Sequence, residues 1–211
     1  MTMKRMNSAL AVAAVALTAV ITMAAPAQSP GYNDGVAHAT PPPPAAGSPV
    51  DPAKSFDAAF TRVENLWMGA AQAMPAEKYN FAPSSAIFIA GQKVQYDGVR
   101  TFAQIVTHTI QANYGGFAAI SGLKPDVDVK AIGDLKSKDD IIKALAATFE
   151  FAHKAIATIT PANAFTSIRG VQTPASMIAG LVGHAEDEYG QAVEYLRMNA
   201  IVPPASEARK M

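Results

Sequence analysis

The segment Ala175–Met198, ASMIAGLVGHAEDEYGQAVEYLRM, is the stretch of sequence that decides the fold. Its apolar residues recur with the 3.6-residue period of an α-helix, so it predicts one long helix with an apolar side. On a helical wheel, His184 and Glu188 fall in the middle of that apolar side. The same side carries Met177, Leu181, Gln191 and Tyr195, whereas Glu186, Glu194 and Arg197 point away from it.

His184 and Glu188 are polar groups at positions where the pattern favours apolar residues. An imidazole and a carboxylate that face a core are costly unless something satisfies them. Three arrangements achieve this: a bound metal ion, a hydrogen-bonded polar network, or a pocket that holds water. The residues of this helix alone leave all three open.

Four segments of the chain share helical apolar periodicity, a capping residue or proline at the start, and a glycine or proline beyond the end. The predicted helices run from Asp51 to Pro75, from about Val99 to Ser121, from about Ser137 to Thr160, and from about Thr173 to just before Pro203. No segment predicts a strand. Four amphipathic helices of this length predict an all-α fold, a four-helix bundle.

The connection between the first two helices, Pro75–Gly98, is long and holds several aromatic residues. Connections of this length are uncommon in compact helical domains and often lie over a functional cleft. Two interpretations stay open, a cover over a cleft and a plain packed loop. A connection this long between the first two helices also permits an unusual helix order.

Residues 1–27 have the pattern of a secretory signal peptide. Lys4 and Arg5 form a positive n-region, Ala9–Ala24 is an apolar run that is short for a membrane span, and Ala25-Pro26-Ala27 is a cleavage signal. The pattern predicts a periplasmic or secreted protein that is cleaved after Ala27. The alternative is an uncleaved N-terminal membrane anchor.

Two further regions follow the signal peptide. Residues 28–50 are rich in proline and alanine and predict an extended linker, and residues 51–211 have the length of one domain. Without Lys4 and Arg5, 15 basic residues face 17 acidic ones, a net charge of −2, so nothing indicates a nucleic-acid partner. The chain has no cysteine, which excludes disulfides, thiolate metal ligands and a cysteine nucleophile. No second apolar stretch is long enough for a membrane span, so no membrane partner is expected after cleavage.

The metal interpretation needs a third ligand from another helix, because bundles build metal sites from inward side chains on facing helices. His108, at the edge of the second helix's apolar stripe, is the candidate. Two imidazoles and the Glu188 carboxylate would leave coordination positions open. Such a set suits Zn²⁺ with a water, or Fe²⁺, Ni²⁺ or Mn²⁺ with more ligands.

Two stretches of the chain resemble a known family. Gly98–Tyr114, GVRTFAQIVTHTIQANY, is similar to the second helix of DinB-like proteins, and His184–Pro204, HAEDEYGQAVEYLRMNAIVPP, is similar to their fourth helix and its exit. The similarity extends from about Ala53 to Ser206. It implies a four-helix bundle with up-down-down-up order, often dimeric, so a homodimer is a candidate assembly.

The resemblance also implies a divalent-metal site, because many members bind a metal through three histidines. His108 and His184 stand at the first two ligand positions, and Gly190-Gln191 matches the residues after the third. The third position holds Glu188 instead of histidine. This departure leaves two outcomes, a site with altered metal preference or a lineage that has lost its metal.

Four other residues have simpler expected roles. Trp67 lies in the middle of the first helix's apolar stripe and is expected in the core, while His153 lies on the flank of the third stripe. Glu64 is expected in a surface pair rather than as a general base. Gly190 lies inside a helix at a cost of roughly 1 kcal/mol relative to alanine, which favours a close approach of helices there.

Three functions therefore stay open. The first is an exported metal-dependent hydrolase or transferase that acts on a small molecule. The second is a non-catalytic module in which His108, His184 and Glu188 hold a small ligand or a metal without turnover. The third is a structural bundle in which His184 and Glu188 form a hydrogen-bonded pair.

The predicted signal peptide gives a direct test. We expect the exported protein to begin at Gln28, because the small residues Ala25 and Ala27 stand third and first before the predicted cleavage point. Intact-mass spectrometry of the exported protein measures this N-terminus. Recovery of a chain that still begins at Met1 would contradict the prediction and favour the uncleaved anchor.

Overall fold

The computed structural model describes residues 43–207, and within them the chain is helical, with no strand. Four long helices are present, which are α1 (Pro52–Ala73), α2 (Phe102–Ser121), α3 (Lys138–Ile156) and α4 (Pro174–Met198). A short α5 (Pro204–Glu207) follows. The predicted all-α four-helix bundle is confirmed.

The predicted signal peptide and residues 28–42 of the predicted linker lie outside the described residues. Residues 43–50, the end of that linker, are exposed and contain no helix. Within residues 43–207, no helix is both long and apolar enough to cross a membrane.

Side-chain caps fix where the long helices begin. The Asp51 carboxylate accepts a hydrogen bond from the Lys54 amide at 3.1 Å, with Pro52 in the first turn. Thr101 and Thr173 each form a reciprocal capping box with the residue three positions later. The Thr101 box explains why α2 begins at Phe102 rather than near Val99.

The directions of α1 and α3 follow from contacts between their ends. Lys138, at the start of α3, donates from its ammonium to the carbonyls of Gln72 and Met74 at the end of α1, both at 2.8 Å. Near the other ends, His153 of α3 contacts Asp57 of α1. The two helices are therefore antiparallel.

Contacts of α2 fix the remaining directions. Its Ile110 carbonyl accepts a hydrogen bond from Thr148 of α3, and further along both helices Tyr114 packs against Phe151, so α2 and α3 are parallel. The Tyr195 hydroxyl near the end of α4 donates to a carbonyl just before α2, so α4 runs antiparallel to α2. These directions give the up-down-down-up order that the resemblance implies.

The unusual helix order depends on the connection between α2 and α3, because these two helices are parallel. From the sequence, the long loop between the first two helices permits such an order, but α1 and α2 are antiparallel and need no crossover. The chain between α2 and α3 runs back along α2, where the Gln111 amide donates to the Val129 carbonyl at 2.9 Å. That segment returns the chain to the end of the bundle at which α2 begins.

The long connection between α1 and α2 begins as a packed segment. Tyr79 is buried, and its hydroxyl donates to the Ala71 carbonyl at 2.7 Å. The carbonyls of Tyr79 and Phe81 accept hydrogen bonds from the Ala103 and Phe102 amides. These bonds tie the connection to the first turn of α2, in agreement with the packed-loop interpretation for this part.

Trp67 has the core role that the sequence predicts. Its side chain is fully buried, and its indole N–H donates to the Ala185 carbonyl at 2.9 Å. Phe60, two helical turns earlier on the same stripe, packs edge-on against Phe117 of α2. A buried indole needs a hydrogen-bond acceptor, so this bond fixes the height of α4 relative to α1.

His153 joins α3 to α1 through two carboxylates. Its Nδ1 lies 2.5 Å from the Asp57 carboxylate and its Nε2 lies 3.0 Å from the Glu64 carboxylate. Burial lowers the pKa of His153, but the hydrogen bonds and charges of both carboxylates outweigh burial and raise it. Glu64 is thus in the pair expected for it.

The His153 pair predicts a pH-dependent stability. Because its pKa is higher in the folded chain, the stabilisation is fully present below the unfolded-state pKa of about 6.5 and is lost as pH rises through the folded value. We expect His153→Gln to lower the free energy of unfolding by about 1 kcal/mol at pH 6 and by much less at pH 9. Urea unfolding at both pH values measures this. An equal loss at both would contradict the charged pair.

Candidate metal centre

The structure brings His108, His184 and Glu188 together. The Nε2 atoms of the two histidines lie 3.2 Å apart. Glu188 Oε1 lies 3.6 Å from His108 Nε2 and 3.8 Å from His184 Nε2. His108 comes from the second turn of α2, and the other two come from successive turns of α4, so the cluster spans the antiparallel α2–α4 interface.

These distances match what a single ion requires of its ligands. With bonds of 2.0–2.1 Å, two ligand atoms of a tetrahedral zinc are roughly 3.3 Å apart. The three donor atoms are therefore close to a coordinating arrangement and need only small side-chain movements to reach it. Within residues 43–207, this trio is the one group of such residues whose ligand atoms converge closely enough for an ion.

Burial differs across the cluster. Glu188 is 5% exposed, and its second oxygen, Oε2, is buried without a hydrogen-bond partner among the described residues. The side chains of His108 and His184 are each 34% exposed. A buried oxygen without a partner is rare, and a hydrogen-bond donor or a cation beside it would satisfy it. The nitrogen and oxygen donors and the buried Oε2 atom both fit a bound metal ion, which solvent would reach past the partly exposed histidines.

The position of His184 corrects one expectation. The sequence places His184 and Glu188 together in the middle of the apolar side of α4. Only Glu188 is buried there, in a row with Ala185 and Ala192, whereas His184 lies at the margin and Gln191 is exposed. The buried centre of this face is formed by the small residues Ala185 and Ala192. The helical wheel places the centre nearer to His184 because it gives more weight to large apolar residues than to alanine.

Arg100 is a member of the site that sequence reasoning missed. Its guanidinium nitrogen NH1 lies 3.6 Å from Glu188 Oε1, and its side chain is 47% exposed. The residue precedes α2, and its carbonyl accepts the Tyr195 hydroxyl at 3.0 Å. One signal in the sequence points to Arg100, which directly precedes the capping residue Thr101 and lies two helical turns before His108.

The pKa of His108 is lowered by its surroundings. Burial is the largest cause, and the positive charge of Arg100 adds to it, while the Glu188 carboxylate opposes both. His108 is therefore neutral at pH 7. A neutral imidazole offers a lone pair on one ring nitrogen, which is the form that binds metals.

Two residues discussed with the site lie apart from it. The ring nitrogens of His153 both face carboxylates of α1, so His153 belongs to the α1–α3 contact. Gly190 was expected at a close approach of helices, but a Cβ atom there would meet nothing within 4 Å. That expectation is wrong, because Gly190 lies on the exposed side of α4.

A comparison with protein-family models identifies the family of this chain. A family model described as the DinB superfamily matches residues 59–192, from the first half of α1 to one turn past Glu188 in α4. No curated protein sequence matches the chain. The matched range covers more than half of the 211 residues and contains His108, His184 and Glu188. The helical order, the cluster between α2 and α4 and this match together show that the chain belongs to the DinB superfamily.

Proposed function

We propose that this chain is an exported protein that binds one divalent metal ion through His108, His184 and Glu188. The observation that carries the proposal is the convergence of His108 Nε2, His184 Nε2 and Glu188 Oε1, with no two of them more than 3.8 Å apart. Two imidazole nitrogens and one carboxylate oxygen suit Zn²⁺, Ni²⁺, Fe²⁺ or Mn²⁺.

The proposed site serves a hydrolase or transferase that acts on a small molecule. Three protein ligands leave coordination positions for a substrate, and the partly exposed histidine rings put those positions within reach of solvent. A divalent ion held there supplies a Lewis acid for a substrate oxygen or activates a water. The protein contributes the buried Glu188 carboxylate and the fixed positive charge of Arg100.

A second function rests on the same distances. A separation of 3.2 Å between the two Nε2 atoms is also a hydrogen-bond distance when one ring carries its proton there. With Arg100 beside Glu188, the cluster is then a polar network that needs no ion. In this alternative the chain is a structural or small-ligand-binding bundle that lost its metal when glutamate replaced the third histidine.

Export is the other part of the proposal. It is supported by the n-region, apolar run and cleavage signal of residues 1–27, and the mass measurement described above tests it.

Metal titration separates the two functions. After treatment with a chelator, we expect one of Zn²⁺, Ni²⁺, Mn²⁺ or Fe²⁺ to raise the melting temperature by roughly 5–10 °C at a hundredfold excess over its Kd. Glu188→Ala removes a ligand and should abolish most of this rise, whereas Glu188→His should keep or strengthen it. Differential scanning calorimetry measures both.

His153→Gln is the matched control, because it removes an imidazole outside the cluster and should leave the metal-induced rise unchanged. Glu188→Gln tests the alternative, since a mere polar network tolerates an amide in place of the carboxylate. A melting temperature that stays flat with all four metals would overturn the metal proposal and leave the polar network.

Metal affinity should depend on pH. Protons compete with the ion for the imidazole nitrogens, so binding should weaken as pH falls through the histidine range near ~6.5. The lowered pKa of His108 moves its part of this loss to more acidic pH. Calorimetric titrations at pH 5.5, 6.5 and 7.5 measure the trend. An affinity that is constant across this range would argue against histidine ligands.

A further inference from the structure

Arg100 is the charged group at the cluster whose role the proposed metal site does not explain. Its guanidinium lies 3.6 Å from Glu188 Oε1, which is beyond hydrogen-bond distance. Within residues 43–207, the structure gives no hydrogen bond from this guanidinium. Nearly half of the side chain is exposed on the solvent side of the cluster. Its N–H groups can therefore donate hydrogen bonds to a further ligand.

The charges of the cluster change when an ion binds. Without an ion, the Glu188 carboxylate and the Arg100 guanidinium are the oppositely charged pair of the cluster. A divalent ion on Glu188 Oε1 takes over the carboxylate that Arg100 faces, because that same oxygen lies nearest to Arg100 and to both histidines. Ion, carboxylate and guanidinium together then carry an excess of two positive charges. An anionic ligand at an open position is the group that offsets this excess.

The backbone of Arg100 is held in place. Its carbonyl accepts the Tyr195 hydroxyl, and the ring of Tyr195 packs edge-on against Phe81, with centroids 5.5 Å apart. The next residue, Thr101, forms the capping box of α2 with Gln104. A charged side chain on a fixed backbone beside a metal site can orient a ligand as well as attract it.

We propose that Arg100 selects the ligand of this site, and that the ligand is a small molecule carrying a carboxylate. One carboxylate oxygen occupies an open coordination position, and the carboxylate also accepts hydrogen bonds from the guanidinium of Arg100. The planar fork of arginine matches the two oxygens of a carboxylate, which a lysine ammonium does not. This inference rests on the proposed metal site and narrows its substrate class.

The test uses Co²⁺ as the metal and acetate as the carboxylate, in a buffer without other carboxylates. Visible absorption of Co²⁺ first gives the metal affinity of the wild type, Arg100→Gln, Arg100→Lys and Arg169→Gln. Acetate is then titrated into each Co²⁺-loaded protein, with neutral acetamide as the comparison ligand. Arg169 is the matched control, because it lies in the turn before α4, at the end of the bundle away from Arg100.

We expect Arg100→Gln to bind Co²⁺ as tightly as the wild type or more tightly, because a positive charge is removed beside the ion. Its affinity for acetate should fall by about tenfold or more, the usual effect of losing a charge-assisted hydrogen bond. The acetate affinity of Arg100→Lys should lie between those of the wild type and Arg100→Gln, and the acetate affinity of Arg169→Gln should match that of the wild type. Acetamide should bind weakly to all four proteins, with no dependence on Arg100.

The contrary outcomes are distinct. If the wild type binds Co²⁺ and acetate but Arg100→Gln binds acetate equally well, this inference is wrong and the metal site stands. If Arg100→Gln loses Co²⁺ itself, Arg100 supports the Glu188 ligand rather than selecting an anion, and the inference is also wrong. If the wild type binds neither Co²⁺ nor any of the four metals of the melting experiment, the proposed function fails and this inference fails with it.

Discussion

The parallel packing of α2 and α3 is the constraint on which the rest of the bundle depends. Two neighbouring helices that run in the same direction must be joined by a segment that travels the length of a helix. The chain after Gly122 does this along α2, held by the Gln111 amide. Because α3 then starts beside the start of α2, α4 must return antiparallel to α2. That return brings His184 level with His108.

The sequence predicts the helices well but not their neighbours. Thr101 and Thr173 cap their helices through local hydrogen bonds, so their effect can be recognised without the fold. Periodicity shows which side of a helix is buried but not which helix covers it. The sequence showed only that the long first connection permits an unusual helix order, and the order itself came from the family resemblance alone.

In the candidate site, too, the sequence predicts proximity within a helix but not contacts between helices. His184 and Glu188 are four residues apart on one helix, so their proximity follows from helix geometry. His108 joins them only through the packing of α2 on α4. Arg100 was not predicted, because it precedes α2 and reaches Glu188 from outside the helix, so that only its position before the Thr101 cap pointed to it. Gly190 was assigned wrongly, since its helical cost shows that something favours glycine but not what it contacts.

Glu188 and Arg100 together keep the charge of the cluster similar to that of an all-histidine site. Replacing a neutral imidazole by a carboxylate adds one negative charge, and the neighbouring guanidinium adds one positive charge. The exchange of histidine for glutamate at this position therefore alters the donor atoms more than the electrostatic potential. In the proposed metal site, this exchange would favour ions that accept oxygen ligands.

Trp67 gives this protein a built-in optical reporter. It is the single tryptophan of the chain, and its indole is bonded to the carbonyl of Ala185, the neighbour of His184 in α4. Its emission therefore arises entirely from one buried position next to the cluster. A paramagnetic ion such as Co²⁺ or Ni²⁺ bound there would quench that emission by energy transfer to its visible absorption bands. Intrinsic fluorescence thus follows events at this end of α4 without any label.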